Sequence, residues 1–149
     1  MNIQTILTNG FMGGGFDVIR LDGTIRAQGQ VSIRSGRELA IASGGVIHSD
    51  ASLTVDAPHV ILGTPFRQPF GLSEDRTPFF QGIAPFKFSP KYGSGALKVV
   101  GTLVDVGNLS LQGIGSMEVL AMSGDVRGNG TLDIAGRLRI VAGQIYPPT

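Results

Sequence analysis

Gly107-Asn108-Leu109-Ser110-Leu111 and Gly130-Thr131-Leu132-Asp133-Ile134 carry one pattern at two places in the chain: glycine, polar, aliphatic, polar, aliphatic. Successive side chains of a strand point to opposite sides, so strict alternation over so few residues predicts a short β-strand with one buried face. Gly136-Arg137-Leu138-Arg139-Ile140 repeats the pattern, and Gly29-Gln30-Val31-Ser32-Ile33 brings it into the N-terminal half. Glycines recur at six-residue steps, at Gly95, Gly101, Gly107 and Gly113 and again at Gly124, Gly130 and Gly136. Glycine at such boundaries supplies bends between the strands.

A longer period lies above the short one. Moving the sequence by 23 positions lays Leu109 and Leu111 on Leu132 and Ile134, and also Gly101 on Gly124, Gly107 on Gly130 and Gly113 on Gly136. In the first half, a shift of 22 takes Val31 and Ile33 to Leu53 and Val55. Coils of this length, each with three short strands, predict an all-β fold, a right-handed parallel β-helix whose core is a ladder of stacked aliphatics. A β-sandwich needs turns every 8–12 residues, wider than the spacing here. A left-handed hexapeptide helix has the spacing but buries one large aliphatic per six residues, where this chain offers two. Helical periodicity is absent.

Residues 63–93 break the pattern. They hold five of the eight prolines (Pro65, Pro69, Pro78, Pro85 and Pro90) and seven of the ten aromatics (Phe66, Phe70, Phe79, Phe80, Phe86, Phe88 and Tyr92). Proline withdraws backbone donors, so the stretch reads as a long insertion between coils 1–62 and coils 94–149 of a single solenoid domain. Long loops on rigid scaffolds often carry function, and those seven aromatics are the candidate contact surface for a partner. The blander reading, which we favour, has the phenylalanines cover an apolar flank, with Arg67, Arg76, Lys87 and Lys91 as a solvated rim.

Composition narrows the function classes. Charged residues are 15% of the 149, against about 25% in typical soluble domains. Net charge is +1, with Lys and Arg dispersed, so neither nucleic acid nor an anionic membrane is an expected partner. The absence of cysteine excludes disulfides, thiolate metal sites and cysteine nucleophiles. No stretch approaches the roughly 20 apolar residues of a membrane helix. Met1 to Gly15 lacks the basic start and apolar run of a signal peptide, so the chain reads as an internal fragment of any exported parent.

Little in the sequence points to chemistry. His48 and His59, near Asp50 and Asp56, form no recognised ligand spacing and read as ordinary surface residues. Gly13-Gly14-Gly15-Phe16-Asp17 and Gly128-Asn129-Gly130 are single copies, not calcium-binding nonapeptide repeats, and there is no phosphate-binding glycine loop. Polysaccharide cleavage on a β-helix needs acids and a base clustered on one exposed sheet. The candidates are Asp105, Glu118, Asp125 and Asp133. A shift of 23 puts Asp105 over Gly128, so no carboxylate ladder is expected. The chain reads as a non-enzyme with no cofactor and no metal.

The C-terminal stretch Ser123-Gly124-Asp125-Val126-Arg127-Gly128-Asn129-Gly130-Thr131-Leu132-Asp133-Ile134-Ala135-Gly136-Arg137-Leu138, running on into Ala142-Gly143-Gln144-Ile145-Tyr146-Pro147-Pro148-Thr149, resembles the filamentous haemagglutinin-like exoproteins of Gram-negative bacteria. Gly29 to Ala42 and Leu53 to Leu62 look similar, so the resemblance covers most of the chain outside 63–93. It implies a segment of a long secreted or surface-tethered β-helix fibre, exported through an outer-membrane partner and acting in adhesion, with no catalytic residues to carry over. The export role belongs to an N-terminal domain that this chain does not match. The expected partners are the rest of the parent exoprotein, by coil stacking, and a host-cell glycan or protein. A polysaccharide-binding or polysaccharide-cleaving β-helix protein is the alternative.

Overall fold

In the computed structural model, which describes residues 4–8, 15–64 and 89–148, the chain is an all-β parallel solenoid of about five turns. Among the described residues there is no helix. The first coils hold β1 (Gln4–Thr8), β2 (Val18–Leu21), β3 (Thr24–Gln28), β4 (Val31–Arg34) and β5 (Glu38–Ile41). Then come β6 (Val46–Ser49), β7 (Ser52–Asp56) and β8 (His59–Leu62). The later coils hold β9 (Lys91–Val100), β10 (Leu103–Val106), β11 (Leu109–Gly128), β12 (Leu132–Asp133) and β13 (Arg137–Tyr146).

All pairings are parallel, and they sort the strands into three walls. The first wall stacks β1, β3, β6, the opening of β11, and β12. The second stacks β4, β7, β9, the middle of β11, and the start of β13. The third stacks β2, β5, β8, β10, the end of β11, and the end of β13. β11, twenty residues long, is hydrogen-bonded around all three walls.

The two rows read from the sequence lie in one layer each. Leu109 pairs with Leu132, and Val31 and Ile33 pair with Leu53 and Val55. These rows continue inside the tube, Leu53 to Leu97 and Val55 to Val99, where all but the end members are essentially inaccessible to solvent. Burying each Leu, Ile or Val side chain is worth about 1.5–3 kcal/mol, so the aliphatic column is the main source of stability.

The glycine stacking needs correction at two corners. On the third wall the local shift is 22, with Leu103 paired to Asp125, so Gly124 lies against Thr102 and not Gly101. On the second it is 21, with Ser116 paired to Arg137, and Gly136 lies against Gly115 rather than Gly113. Coils change length at their corners while the strands hold register.

On either side of residues 65–88 the chain is tied to β11 and the turn before it. The Thr64 N–H donates to the Asn108 carbonyl, and the Ser89 carbonyl accepts from Gln112 Nε2. Across that interval the first wall closes directly, β6 pairing with β11 through Ser110–Val46, Leu111–Ile47 and Gln112–His48. β9 already begins at Lys91, inside the span read as insertion. Residues 65–88, and with them Phe66, Phe70, Phe79, Phe80, Phe86 and Phe88, lie outside the described residues. Tyr92 is on β9 and is 75% exposed.

Among the described residues no helix is long and apolar enough to cross a membrane.

Candidate functional site

The outer face of the third wall carries a ladder of charged side chains that the sequence did not lead us to expect. Leu39, Val60, Val104 and Val126 point into the tube from this wall, so their neighbours Glu38, His59, Asp105, Asp125 and Arg127 point out. Register brings Glu38 beside His59 and Asp105 beside Arg127. Asp105 is the centre. Its carboxylate is only 6% exposed, yet it accepts from Arg127 Nε at 2.6 Å and Nη2 at 2.7 Å and lies 2.8 Å from His59 Nε2. The other ring nitrogen, His59 Nδ1, faces Glu38 Oε2 at 3.5 Å, and Arg20 reaches Glu38 Oε1 at 3.1 Å. Arg20, Glu38, the His59 ring, Asp105 and Arg127 thus follow one another along the wall.

The expectation that Asp105 lies over Gly128 is overturned, because the coil that carries Asp105 to its neighbour Arg127 is 22 residues long, one fewer than the 23-residue period. His59, read as an ordinary surface residue, is half-buried between two carboxylates. Asp125 is engaged too, accepting from the Tyr146 hydroxyl at 3.2 Å. Hydrogen bonding to Asp105 holds the Arg127 pKa above its ordinary value, against desolvation. Tyr146 is raised as well, chiefly by desolvation and then by its bond to Asp125. Glu118 and Asp133 lie elsewhere. Glu118 is on the second wall, paired with Arg139 at 2.7 Å, and Asp133 is on the first, beside Ser110.

The chemistry available to this ladder is limited. Asp105 is neutralised by a two-pronged arginine, which suits a structural carboxylate better than a proton acceptor. Among the described residues no group of three or more His, Asp or Glu is placed to hold a metal ion. His48, on the outer side of β6 beside Arg26, is half-buried, and its Nδ1 is buried without a hydrogen bond.

A different feature occupies the corner between the first and second walls and runs onto the second. A shallow cavity of about 510 Å³ is bordered by Tyr92, Ser94, Ser116 and Arg137 and floored by Gly93, Gly95, Gly115 and Gly136. A second, of about 410 Å³, adjoins it across the shared residues Ala96, Ser116 and Arg137 and reaches Ser52, Thr54, Lys98, Glu118 and Arg139. The floor is backbone on backbone: a Cβ on Gly115 would lie 2.5 Å from the Gly93 carbonyl and 3.1 Å from the Tyr92 ring. Of the aromatics singled out in the sequence, Tyr92 is the one that falls within the described residues. The groove itself was missed, since its lining comes from four coils and from glycines read only as bends.

No family model, no curated protein and no solved structure matches this chain.

Proposed function

We propose that this chain is a shaft segment of a secreted or surface-exposed bacterial exoprotein of the filamentous haemagglutinin kind, a rigid rod with no catalytic role of its own. One observation carries the reading: the interior of the tube is open at its last coil. Met117 is 2% exposed, but Leu138, the next member of its row, is 41% exposed. Val126 is 3% exposed, and Ile145 above it is 64% exposed. Among the described residues β13, ten residues long, is hydrogen-bonded to β11 alone. An apolar end beside a strand of this length is a template for another coil. On this reading stacked coils extend a rod that holds its side surfaces away from the cell.

The mutual engagement of Arg20, Glu38, His59, Asp105 and Arg127 favours support over catalysis. Such a ladder ties five successive coils on their wet side as the aliphatics do on the dry side.

Sedimentation velocity over a range of concentrations tests the reading. The isolated chain should self-associate through its open coil, and Leu138→Asp with Ile145→Lys should return it to monomer without loss of β-sheet circular dichroism. A wild-type chain that stays a monodisperse monomer at high concentration removes the basis of the proposal.

A further inference from the structure

We propose that the groove on the second wall binds an acidic polysaccharide, a polymer of uronic acids, lying along the rod axis and across the strands. Binding by a side surface goes beyond the shaft reading, which concerns the ends of the rod, and either can hold without the other.

On the outer face of the second wall Thr54 pairs with Lys98 and Glu118 with Arg139. The Gly101 N–H donates to the Leu120 carbonyl, which sets Lys98 beside Glu118. Lys98 and Arg139 are therefore two rungs apart, about 9–10 Å at the spacing of neighbouring strands. Arg137 stands two residues before Arg139 on the same strand, above Ser116. Three cations along a groove can meet carboxylates repeated along one extended polymer.

Two of those cations are available. Lys98 and Arg137 are exposed and have no carboxylate partner among the described residues, whereas Arg20, Arg34 and Arg127 are each held by an acid. Arg139 is shared with Glu118, and an incoming uronate would compete for it. The end of the groove supplies what a sugar ring needs. Tyr92 rests against Gly115 and leaves three-quarters of its surface to solvent, and it combines an apolar face with a polar hydroxyl. Because the floor beside it is glycine backbone, a flat ring can approach closely. Hydroxyls on the rim add sequence-neutral hydrogen bonds. A nucleic acid would call for a larger basic footprint and several stacking aromatics, and a net charge of +1 with one tyrosine at the groove does not provide them.

The test is titration calorimetry of the whole chain with polygalacturonate, with dextran as the uncharged control and single-stranded DNA as the competing polyanion. We expect saturable, salt-sensitive binding to polygalacturonate and none to dextran. The double variant Lys98→Ala/Arg137→Ala should lose affinity roughly tenfold, two exposed ion pairs together being worth about one decade. Tyr92→Ala should weaken binding, and Arg20→Ala, on the third wall, should leave it unchanged. Glu118→Gln should tighten binding by about twofold as Arg139 is released, a gain that a purely structural role would not produce. Circular dichroism checks that each variant is folded. The proposal is overturned by absent binding, by binding that survives the double variant, or by DNA binding as tightly as the uronate polymer.

Discussion

Arg127 stands one rung above Asp105 and holds both of its carboxylate oxygens, Nε to Oδ1 at 2.6 Å and Nη2 to Oδ2 at 2.7 Å. The acid is almost completely covered, and the arginine is about one-third exposed. Removing the arginine would leave a buried charge with His59 as its remaining side-chain partner among the described residues. Arg127→Met should therefore cost about 2–3 kcal/mol in urea denaturation. Adding Asp105→Leu should recover much of that loss, because the double variant has no charge left to solvate. If the single variant is neutral, the ladder contributes nothing to stability.

Tyr146 offers a spectroscopic reading of the same wall. The chain has two tyrosines and no tryptophan, so tyrosinate absorbance is uncluttered. Desolvation and the hydrogen bond to Asp125 raise the Tyr146 pKa above its usual value. A folded pKa above the unfolded one means that the linked stability is whole below the ordinary tyrosine range and is lost as pH rises through the raised value. Alkaline titration should show one tyrosine ionising late, and Asp125→Asn should bring it earlier. A late tyrosine that is indifferent to Asp125 would assign the shift to something else.

The aliphatic column predicts a gradient along the rod. Leu53 is fully buried between Val31 and Leu97, so Leu53→Ala should cost about 2–5 kcal/mol. Leu138 is 41% exposed on the last coil, and in solutions dilute enough to keep the chain monomeric Leu138→Ala should cost below about 1 kcal/mol. Equal losses in calorimetry would mean that the last coil is covered in solution, for example by a second copy.

Gly63, just after β8, has φ +77°, and a Cβ there would collide with the Asn108 carbonyl. Gly63→Ala combines a left-handed backbone with a clash against main chain and should cost more than about 2 kcal/mol. Gly128 has nothing within 4 Å of its added Cβ, and Gly128→Ala should be nearly neutral. Thermal unfolding of the two variants separates them.

Because β6 pairs directly with β11, the wall does not depend on the insertion for its hydrogen bonds. Replacing residues 65–88 with a short Gly/Ser linker should preserve the β-sheet circular dichroism and shift the melting temperature by only a few degrees. If cell or glycan attachment is lost while the spectrum is kept, the phenylalanines of the insertion are the contact surface. Unchanged attachment would remove them from consideration.

Alternation and repeat length determined the solenoid: Leu109 with Leu132 and Val31 with Leu53 are legible because interior positions repeat the same chemistry every coil, and a tube must stack like on like to exclude water. What only the tertiary structure decided is the outer surface. Asp105 meets Arg127 at a local shift of 22 and Ser116 meets Arg137 at 21, where one average period would mismatch both. Corners gain or lose a residue at little cost, so the backbone ladder sets which outward side chains become neighbours. The Asp105 cluster and the Tyr92 groove draw their residues from different coils, and neither exists until those corners are closed.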